Sequence, residues 1–406
     1  MITVVGIGAD GWPSLSAEAR AAVAQADLLV GGERQLDLVP PDEASAAERR
    51  AWPKRLTELV DELPALAADG REVVVLASGD PLLHGVGTTI LQRLGDDGVR
   101  VIPAVSSFAL ACARLRWPAS SVELVSATSR IAEIVVPALQ PGRRAVVLGF
   151  GPTTAARVAR VARERGFGAS RLVVLEELGG ATERIVESTA QEWGEREAAA
   201  LHLVALEVRG DGPLLGRAPG LPDDAFEHDG QITKRDVRAV TLAALVPVPG
   251  QLLWDVGAGS GSVAIEWLRA APGARAVAIE RNQARAERIA RNALTLGVPR
   301  LRVVHGAAPD AFDELVDGPD ERPDAIFLGG GLRGSGLLTR CLGQLKPGGR
   351  LVANVVTVEG ERVLADARAE HGGRLTRLAV AHAEPLGGFT GWRPAMTVTQ
   401  WELRVR

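Results

Sequence analysis

Two acidic residues and a glycine-rich loop in the second half of the chain have the types and spacing of a ligand site. The stretch 252–261 reads LLWDVGAGSG, an apolar run that ends in Asp255 and continues into three alternating glycines. Glycines at such a turn let the backbone approach a ligand where any Cβ would clash. About 20 residues further on, the run RAVAIE ends in Glu280, where a strand-end carboxylate can accept hydrogen bonds from both hydroxyls of a ribose. The pattern therefore predicts a site for a ligand that carries a nucleoside.

The charge of the loop favours a cationic ligand. A dinucleotide-binding loop has the spacing GxGxxG, whereas this loop reads GAGSG and has an acid two residues before its first glycine. The pyrophosphate of a dinucleotide would be repelled by Asp255, and a cationic ligand that carries an amino acid would not. Taken alone, the loop leaves open an NAD site, a flavin site or a tight turn from strand to helix without a ligand.

Three later segments continue the same pattern of strands and turns. They are LRVVHGAAPDAF from residue 301, DAIFLGGG from residue 324 and LKPGGRLVANVV from residue 345. In this order the elements resemble the Rossmann-like class I S-adenosylmethionine methyltransferases. The resemblance implies that S-adenosylmethionine contacts the loop and the strand ends, at Asp255, Gly257, Ala258, Gly259, Ser260, Gly261, Glu280 and Ala307.

The segment just before the loop carries a more specific resemblance. FEHDGQITKRDVR begins at Phe226, and together with the loop it is similar to the decarboxylating cobalt-precorrin methyltransferases of corrin biosynthesis. The resemblance implies that Thr233 lies against the cofactor. Asp236 departs mildly from that family, which has Glu at this position. The residues alone offer a second role for Thr233, as a helix N-cap, because its hydroxyl can accept from an amide two or three residues on.

Basic residues near these segments are candidates for holding the carboxylates of an anionic substrate. Lys234, Arg235 and Arg238 crowd the first turns of the predicted helix, where positive charge opposes the helix dipole and a bound polyanion would relieve it. Arg393 lies in GGFTGWRPAMTVTQW (387–401), a segment that we expect to form mostly core and sheet edge. No residue is assigned as the catalytic acid or base, and the carboxylate-binding candidates are Lys234, Arg235, Arg238, Arg333 and Arg393.

The first half of the chain carries a second set of ordered motifs. VVGIGADG (4–11), ASGDPLLHGVGTTI (77–90) and VIPAVSSFALACARL (101–115) resemble the tetrapyrrole (corrin/porphyrin) methylases, and the resemblance extends over residues 1–208. In that family the cofactor lies folded between two lobes. From the residues alone, Asp80 could equally be a helix N-cap. The resemblance implies cofactor contacts from Ala9, Ser78, Gly79, Asp80, Leu83, Ser106 and Ser107.

The order of short strands and helices predicts α/β folds throughout. Runs of β-branched residues alternate with amphipathic stretches rich in Ala, Arg and Glu. Residues 209–231 interrupt this alternation with a Gly-, Pro- and Asp-rich segment, which is typical of a linker. We therefore expect a two-lobed tetrapyrrole methylase (class III) domain at 1–208 with a break near 105–120, a linker at 209–224, and a Rossmann-like class I methyltransferase domain at 225–406.

The two resemblances point to one pathway, the biosynthesis of cobalamin. Together they resemble the fused decarboxylating precorrin methyltransferases, which act on two carbons of the macrocycle. This implies methylation of precorrin-6B, the reduced form of precorrin-6Y, at carbons 5 and 15 and loss of carbon dioxide from the ring C acetate at carbon 12, giving precorrin-8X. Each domain would bind one S-adenosylmethionine, with the N-terminal domain acting at carbon 5. The alternative is that only the C-terminal domain is catalytic and the N-terminal half binds the tetrapyrrole.

Composition argues against several other classes of protein. The formal net charge is -4 and aromatic residues make up 4%, so no basic, aromatic-lined channel for nucleic acid is indicated. No apolar stretch is long enough to cross a membrane, and no secretory signal is recognisable. Cys112 and Cys341 lie far apart in apolar surroundings, and the six histidines lack metal-ligand spacing. We expect a cytoplasmic enzyme without a metal, and the resemblance implies a homo-oligomer formed through the C-terminal domain.

Overall fold

The computed structural model of the chain describes residues 1–128, 131–316, 322–332 and 336–405. These residues divide into two units, Met1–Pro213 and Leu214–Arg406, and each unit has its own sheets and its own core.

A parallel sheet forms the first lobe of the first unit. Its strands are β1 (Ile2–Ile7), β2 (Leu28–Gly31), β3 (Glu48–Ala51), β4 (Val73–Ser78) and β5 (Val99–Ile102), in the order β3-β2-β4-β1-β5. The helices are α1 (Ala17–Ala24), α2 (Glu33–Asp37), α3 (Leu56–Leu66) and α4 (Val86–Leu94). Every residue of β1 and β2 is buried, because a parallel sheet is covered on both faces, and apart from Thr3 the two strands therefore contain no polar side chain.

The two central strands β1 and β4 approach each other closely where they end. A Cβ at Gly6 would lie 2.1 Å from the carbonyl oxygen of Gly79, so no other residue fits at position 6 without moving the backbone. Gly79 itself has φ +57°, and its amide donates to the carbonyl oxygen of Ile7 at 2.9 Å. The carboxyl edge of this sheet therefore ends in backbone that a ligand can reach.

A mixed sheet forms the second lobe of the first unit. It begins after α5 (Ser107–Leu115), and its strand order is β6-β7-β10-β8-β9. Its helices α6 and α7 pack on one face, whereas α5 packs on the other. The elements are β6 (Val122–Ser126), β7 (Arg144–Leu148), α6 (Thr154–Glu164), β8 (Arg171–Glu176), β9 (Arg184–Thr189), α7 (Ala190–Trp193) and β10 (His202–Glu207).

The second unit contains a seven-stranded sheet in the order β13-β12-β11-β14-β15-β19-β16 and a separate two-stranded sheet of β17 and β18. Neighbours from β13 to β15 are parallel, and β19 runs antiparallel to β15 and to β16. The strands are β11 (Leu252–Val256), β12 (Arg275–Glu280), β13 (Arg302–His305), β14 (Ala325–Leu328), β15 (Arg350–Val355), β16 (Arg374–Leu378), β17 (Ala381–Leu386), β18 (Phe389–Pro394) and β19 (Val398–Arg404). The helices are α8 (Arg235–Leu245), α9 (Ser262–Ala270), α10 (Gln283–Thr295), α11 (Asp313–Val316), α12 (Leu337–Gln344) and α13 (Val358–His371).

The strand order of the second unit reverses between β11 and β14. From β11 the chain moves outward to β12 and β13, and it then returns to β14 on the other side of β11. In an open parallel sheet, ligands bind at the carboxyl ends of the strands beside such a reversal. The predicted fold class, a two-lobed first half and a Rossmann-like second half, is confirmed.

Residues predicted as linker pack partly onto the second unit. Leu215 and Leu221 are buried in its core, close in sequence to the buried Phe226. The amides of Gly220 and Leu221 donate to the carboxylate of Glu266 at 2.6 and 3.0 Å. From residue 214 onward the chain therefore belongs to the second unit, because leucines within this Gly- and Pro-rich segment pack into the core of that unit.

The segment predicted as core and sheet edge divides into an exposed hairpin and a buried strand. β17 and β18 form a two-stranded sheet of their own, and Phe389 and Trp392 are 83% and 76% exposed. Trp401 on β19 is fully buried. The prediction of core was therefore wrong for the hairpin, since these strands extend beyond the sheet, and only β19 pairs between β15 and β16.

Candidate cofactor sites in the two units

The glycine loop of the second unit follows β11 at the point where the strand order reverses. Gly257, Gly259 and Gly261 have φ angles of +73°, +60° and +75°, a left-handed conformation that other residues rarely adopt. The amide of Gly257 donates to the carbonyl oxygen of Ile279 at 3.0 Å, so the loop turns toward the end of β12. A Cβ at Gly261 would lie 2.7 Å from Cγ2 of Ile289, which brings the loop into direct contact with α10.

Glu280 lies beside this loop at the end of β12. It is 4% exposed, and its two carboxylate oxygens accept from the amides of Gly259 and Asn282, each at 2.9 Å. A carboxylate oxygen has two lone pairs, so each can also accept from a ribose hydroxyl. Ala307 is exposed in the loop that follows β13, the strand next to β12. The geometry thus brings the predicted residues at the ends of these three strands to one edge of the sheet.

Two buried polar atoms at this edge have no hydrogen-bond partner among the described residues. Oδ2 of Asp255 accepts from the amide of Ala264 at 3.0 Å, but Oδ1 is unpaired, and Asp255 is 1% exposed. The hydroxyl of Ser260 is also buried and unpaired. Buried polar atoms in proteins are nearly always hydrogen-bonded, so these two indicate a polar ligand at the loop.

The electrostatics of Asp255 suit a cationic ligand. Burial raises the pKa of its carboxyl from the ordinary 3.8 to about 7; the hydrogen bond from Ala264 opposes this rise, and the nearby carboxylate of Glu280 adds to it. A positive charge beside the loop would favour the ionised form. The glycine cradle, the unpaired oxygens and the two acids therefore fit S-adenosylmethionine, which has a ribose, an amino acid and a sulfonium.

The alternative role of Thr233 as a helix N-cap is wrong. The N-cap of α8 is Lys234, and its side chain makes no capping hydrogen bond. Thr233 precedes this N-cap and is half-buried. Its segment contacts the glycine loop, since a Cβ on Gly259 would lie 3.0 Å from the carbonyl oxygen of Gln231. Proximity of this segment to the loop is compatible with the cofactor contact that the resemblance implies for Thr233.

The side chain of Arg238 points into the protein core, so the prediction that it contacts the substrate is wrong. Its side chain is fully buried and lies over the ring of Phe226. Its Nε donates to Glu266 at 2.6 Å and one terminal nitrogen donates to Asp223 at 3.1 Å. The guanidinium also donates to the carbonyl oxygens of Leu221 and Thr233. Arg238 therefore anchors the chain before α8 to the core, with its charge compensated inside the protein.

The positive charge at the start of α8 is partly compensated by groups of the chain itself. Asp223 lies 3.6 Å from Nζ of Lys234 and accepts from the amide of Arg235 at 3.0 Å. The side chain of Arg235 donates to the carbonyl oxygen of Gly220. Lys234 and Arg235 are nevertheless exposed, so both can reach an anion in solvent.

The two remaining basic candidates are Arg393 and Arg333. Arg393 is on the exposed hairpin, 77% exposed, and donates to Glu384 at 3.0 Å. Arg333 lies outside the described residues. Arg393 pairs across the hairpin with His382, whose Nε2 lies 3.3 Å from a carboxylate oxygen of Asp236, so the hairpin reaches the start of α8. Lys234 and Arg235 are exposed at that end of the helix.

The first unit has a cleft at the carboxyl edge of its parallel sheet. Its volume is about 80 Å³, and it is partly open to solvent. Four predicted cofactor contacts, Ala9, Ser78, Gly79 and Ser107, line it. Its complete lining is Ile7, Gly8, Ala9, Arg34, Ser78, Gly79, Val105, Ser107, Leu110, Leu175, Leu178, Leu201, His202 and Leu203.

The other three predicted contacts flank this cleft rather than line it. Asp80 accepts from the amide of Leu82 at 2.9 Å and stabilises the turn after β4. It does not cap α4, whose N-cap is Gly85, so the alternative role as a helix cap is wrong. Leu83 is half-buried in the same turn, and the hydroxyl of Ser106 caps α5 by accepting from an amide.

Three polar residues of the sites were not predicted. Arg34, which follows β2, and His202, which begins β10, both line the cleft of the first unit. In the second unit, Asn292 of α10 accepts from the amide of Glu227 at 2.8 Å and donates to the carbonyl oxygen of Ser260 at 3.0 Å. In each case the sequence shows a polar residue next to a buried strand or within the apolar face of a helix, and this pattern could have marked it as a candidate site residue.

Comparison with known families agrees with two methyltransferase units. Residues 1–194 match the family described as Tetrapyrrole (Corrin/Porphyrin) Methylases, and residues 224–405 match the family described as Precorrin methyltransferase domain. The fold and the two strand-end sites thus define a methyltransferase with two units in one chain. Methyltransferases of this family use S-adenosylmethionine.

Full-length relatives identify the family more closely. A protein of Mycobacterium tuberculosis (strain CDC 1551 / Oshkosh) named precorrin-6Y C(5,15)-methyltransferase [decarboxylating] is 45% identical over 409 residues, with 100% of both chains covered. A Sinorhizobium sp protein of the same name is 46% identical over 405 residues, covering 98% of this chain and 95% of its own. The chain belongs to the family of decarboxylating precorrin-6Y C(5,15)-methyltransferases.

A solved structure is similar to the second unit. The C-terminal domain of precorrin-6Y C5,15-methyltransferase from Rhodobacter capsulatus is 48% identical, with a TM-score of 0.43, and the match covers 47% of this chain and 100% of that domain. Within the described residues, no helix has the length and apolar character needed to span a membrane, and no cluster of three or more potential ligand side chains could hold a metal ion.

The buried carboxyl of Asp255 predicts a pH-dependent stability difference in the ligand-free chain. With a folded pKa of about 7 against 3.8, the stability that its neutral form contributes is fully present below pH 4 and is lost as pH rises through 7. At about 1.4 kcal/mol per pKa unit, the loss is on the order of 4 kcal/mol. Asp255→Asn removes this loss, so thermal denaturation should show the variant gaining on the wild type between pH 4 and 7.

The control for this measurement is Asp313→Asn, which neutralises a carboxylate that is 78% exposed and paired with Arg340. Its melting temperature should follow the wild type across the same pH range. A melting difference between Asp255→Asn and the wild type that stays constant from pH 4 to 8 would contradict the assignment of a raised pKa.

Alanine substitutions at two glycines with positive φ distinguish the cost of a steric clash from the cost of backbone strain. Gly261→Ala places a Cβ 2.7 Å from Ile289 at φ +75°, whereas Gly273→Ala has φ +84° but nothing within 4 Å. Both variants should lose about 1 kcal/mol from the left-handed conformation. Gly261→Ala should lose roughly a further 1–3 kcal/mol from overpacking and should no longer bind S-adenosylhomocysteine in the second unit. Equal stability and equal binding for the two variants, by denaturation and calorimetry, would refute the contact.

Proposed function

We propose that the protein methylates precorrin-6B at carbons 5 and 15 and decarboxylates the ring C acetate at carbon 12, giving precorrin-8X in cobalamin biosynthesis. The observation that carries this proposal is that one chain contains two separate methyltransferase units and aligns over its whole length with relatives named for both carbons. The first unit would act at carbon 5, and the second would decarboxylate and act at carbon 15.

We propose one S-adenosylmethionine site in each unit. In the second unit, Asp255, Glu280 and the glycine loop would hold it, with Thr233 and Ala307 at its margins. This is supported by the unpaired buried oxygens of Asp255 and Ser260. In the first unit, the cleft residues Ala9, Ser78, Gly79 and Ser107 would hold it, and Asp80, Leu83 and Ser106 would shape the turns that flank it.

The chemistry requires alignment of two ligands more than a nucleophilic side chain. Bound S-adenosylmethionine supplies an electrophilic methyl group on a positively charged sulfur. The protein's part is to hold an electron-rich carbon of the macrocycle in line with that methyl group, which makes the transfer effectively intramolecular. Asp255 and Glu280 hold their position through backbone amides of the loop and of α9 and α10, so the site is ordered before the ligand binds.

Basic residues would hold the acetate and propionate groups of the substrate. In the second unit, the exposed Lys234 and Arg235 are retained as candidates. Arg393 is retained with them, because its cross-strand partner His382 contacts Asp236 of α8. Arg333 is supported by sequence alone. In the first unit, Arg34 lines the cleft and donates to the hydroxyl of Ser78 at 3.1 Å. An arginine can bind a carboxylate with two parallel hydrogen bonds, which makes Arg34 a further candidate.

The domain limits and the location of the enzyme are also proposals. We assign residues 1–208 and 225–406 to the two catalytic domains and 209–224 to the connection, of which the part from residue 214 packs on the second unit. We place the enzyme in the cytoplasm, since its two cysteines are free and buried, as suits a reducing compartment. We expect no nucleic-acid or membrane partner.

Counting products tests the proposed reaction. Incubation with methyl-labelled S-adenosylmethionine and precorrin-6B should give two methyl groups and one carbon dioxide per macrocycle. Val105 lines the first cleft and is 62% exposed, so Val105→Trp should fill the cleft without disturbing the core. This variant should lose the methyl at carbon 5 and keep the methyl at carbon 15 and the carbon dioxide.

Leu82→Trp is the matched control, because Leu82 is 48% exposed beside the cleft but does not line it. It should give both methyl groups. A wild-type product with a single methyl, at carbon 15, would instead support the alternative in which the first unit only binds the tetrapyrrole.

We also propose that the second unit mediates a homo-oligomer through its exposed hairpin. Leu386 and Phe389 pair on one face of the hairpin and Trp392 lies on the other; with Met396 these residues are 69%, 83%, 76% and 74% exposed, and exposed apolar side chains of this kind are typical of an interface. A two-stranded sheet is marginally stable alone in water, so the hairpin needs a partner to pack against. A second copy of the chain would cover it.

Sedimentation of the purified protein tests this proposal. Trp392→Glu should shift the protein to a smaller species, since a charge at the centre of an apolar interface opposes association. Leu294→Glu, at a 41% exposed position on α10, should leave the assembly unchanged. A wild-type monomer, or a Trp392→Glu variant with the wild-type mass, would refute the proposal.

A further inference from the structure

Three polar side chains form a hydrogen-bonded network between α8 and the strands β15 and β19 of the second unit. Thr241 of α8 and Gln400 of β19 are buried, and Asn354 of β15 is half-buried. Nδ2 of Asn354 and Nε2 of Gln400 donate to Oγ1 of Thr241 at 2.8 and 3.0 Å. Nε2 of Gln400 also donates to Oδ1 of Asn354 at 3.0 Å. Of the three residues, Asn354 is the one through which the network reaches the surface of the unit.

The hydroxyl of Thr241 fixes the orientation of both amides. It donates to the carbonyl oxygen of Val237 at 2.8 Å, and because that oxygen only accepts, Oγ1 can only accept from Asn354 and Gln400. Both amide nitrogens therefore point toward Thr241. Gln400 uses its two N–H groups within the network, whereas the second N–H of Asn354 has no acceptor in the part of the chain that the structure describes. This N–H is available to a ligand.

Strand register places Asn354 at the carboxyl edge of the sheet. Asp255 of β11 pairs with Phe327 of β14, which in turn pairs with Val352 of β15. Asn354 therefore lies two residues nearer to the carboxyl edge than Asp255. The two side chains share one face of the sheet, since Asp255 accepts from the first turn of α9 and Asn354 donates to α8. The free N–H of Asn354 thus belongs to the same edge and the same face as the buried acid of the glycine loop.

The strand reversal between β11 and β14 divides this edge into two halves. The proposed cofactor contacts Asp255, Glu280 and Ala307 lie at the ends of β11, β12 and β13. Asn354 lies near the end of β15, on the other side of the reversal. A second ligand that meets the cofactor at this edge therefore lies over the half formed by β14 and β15. In the proposed reaction that ligand is the macrocycle, whose carboxylate groups are acceptors for an N–H donor.

We propose that Nδ2 of Asn354 donates to the ring C acetate, the carboxylate that leaves as carbon dioxide, and that Thr241 and Gln400 are positioning residues for this amide. The inference rests on the proposed function of the second unit. In that reaction the bond between the methylene carbon and the carboxylate breaks, and carbon dioxide leaves. The electron pair of the bond passes into the conjugated macrocycle and then binds a proton from water at the methylene carbon, which becomes a methyl group.

A neutral donor suits a carboxylate that has to leave. A cation would stabilise the negative charge of the acetate before that charge is dispersed into the macrocycle, and this ground-state stabilisation would oppose the reaction. One N–H from a fixed amide instead holds the orientation of the carboxylate, which keeps the breaking bond aligned with the conjugated ring. The exposed cations Lys234 and Arg235 remain for carboxylates that the product retains.

Release of carbon dioxide from precorrin-6B by the full chain tests this inference. Asn354→Asp keeps the size of the side chain and the acceptor for Gln400, but it replaces the free N–H by a charged oxygen. Its kcat for carbon dioxide should fall by about ten- to a hundredfold at about pH 8, as expected for loss of a hydrogen bond to a charged group. Its affinity for S-adenosylhomocysteine should stay unchanged. The ratio of the variant rate to the wild-type rate should rise as pH falls, because a protonated carboxyl is again a donor.

The control with the same added charge is Gln251→Glu, at the amino end of the same sheet, where Gln251 accepts from Arg350. It should release carbon dioxide at the wild-type rate. Thr241→Val removes the hydroxyl that orients Asn354 with little change of shape, so it tests the network even if Asn354→Asp does not fold. It should lower kcat less than Asn354→Asp does, without recovery at low pH, and Thr241→Ser should retain the wild-type rate.

The outcomes separate this inference from the proposed function. A wild-type kcat for Asn354→Asp or for Thr241→Val would overturn the inference and leave the function intact. A loss in Asn354→Asp that does not recover at low pH, or an equal loss in Gln251→Glu, would overturn it as well. A wild-type chain that releases no carbon dioxide from precorrin-6B would refute the proposed function together with the role of Asn354.

Discussion

Neighbouring parallel strands end at a common edge, and both units depend on how the backbone leaves that edge. In the first unit, β1 and β4 end so close together that position 6 has no space for a Cβ beside Gly79. In the second unit, a Cβ at Gly257 would lie 3.3 Å from the amide nitrogen of Gly330, across the reversal point between β11 and β14. Side chains are excluded at these points, so backbone amides and strand-end residues form the candidate ligand sites.

Two buried ionisable residues of the second unit differ in how completely their polar atoms are hydrogen-bonded within the protein. Arg238 is surrounded by Glu266, Asp223 and backbone carbonyl oxygens, so its charge is satisfied within the protein and it holds the chain before α8 in place. Asp255 is equally buried, but one of its oxygens has no partner among the described residues. The guanidinium of Arg238 has its partners within the protein, whereas the unpaired oxygen of Asp255 is available to a polar ligand. This difference separates an anchoring residue from a candidate binding residue of similar burial.

Much of the fold could be predicted from periodicity, and the failures have a common cause. The run RAVAIE was predicted as a strand at 275–280, where β12 lies, because a buried parallel strand is apolar at nearly every position. β3 reads ERRA, is mostly exposed, and forms only by pairing with β2. The sequence predicts mostly core and sheet edge for residues 387–401, but the aromatic residues of the hairpin β17–β18 are exposed. Edge strands and exposed apolar surfaces are determined by their neighbours and not by their own composition.

The sequence by itself determined the local chemistry of this protein: the glycine turns, the acids at the strand ends, the α/β alternation and the resemblance to two methyltransferase families. These are short-range features, since a turn or a strand end depends on a few consecutive residues. Only the tertiary structure decided that Arg238 turns inward, that Asp223 neutralises the start of α8, and that His202 and Arg34 line one cleft. His202 and Arg34 are far apart in the chain, and the partners of a side chain at a sheet edge are set by strand order and by the burial that packing imposes.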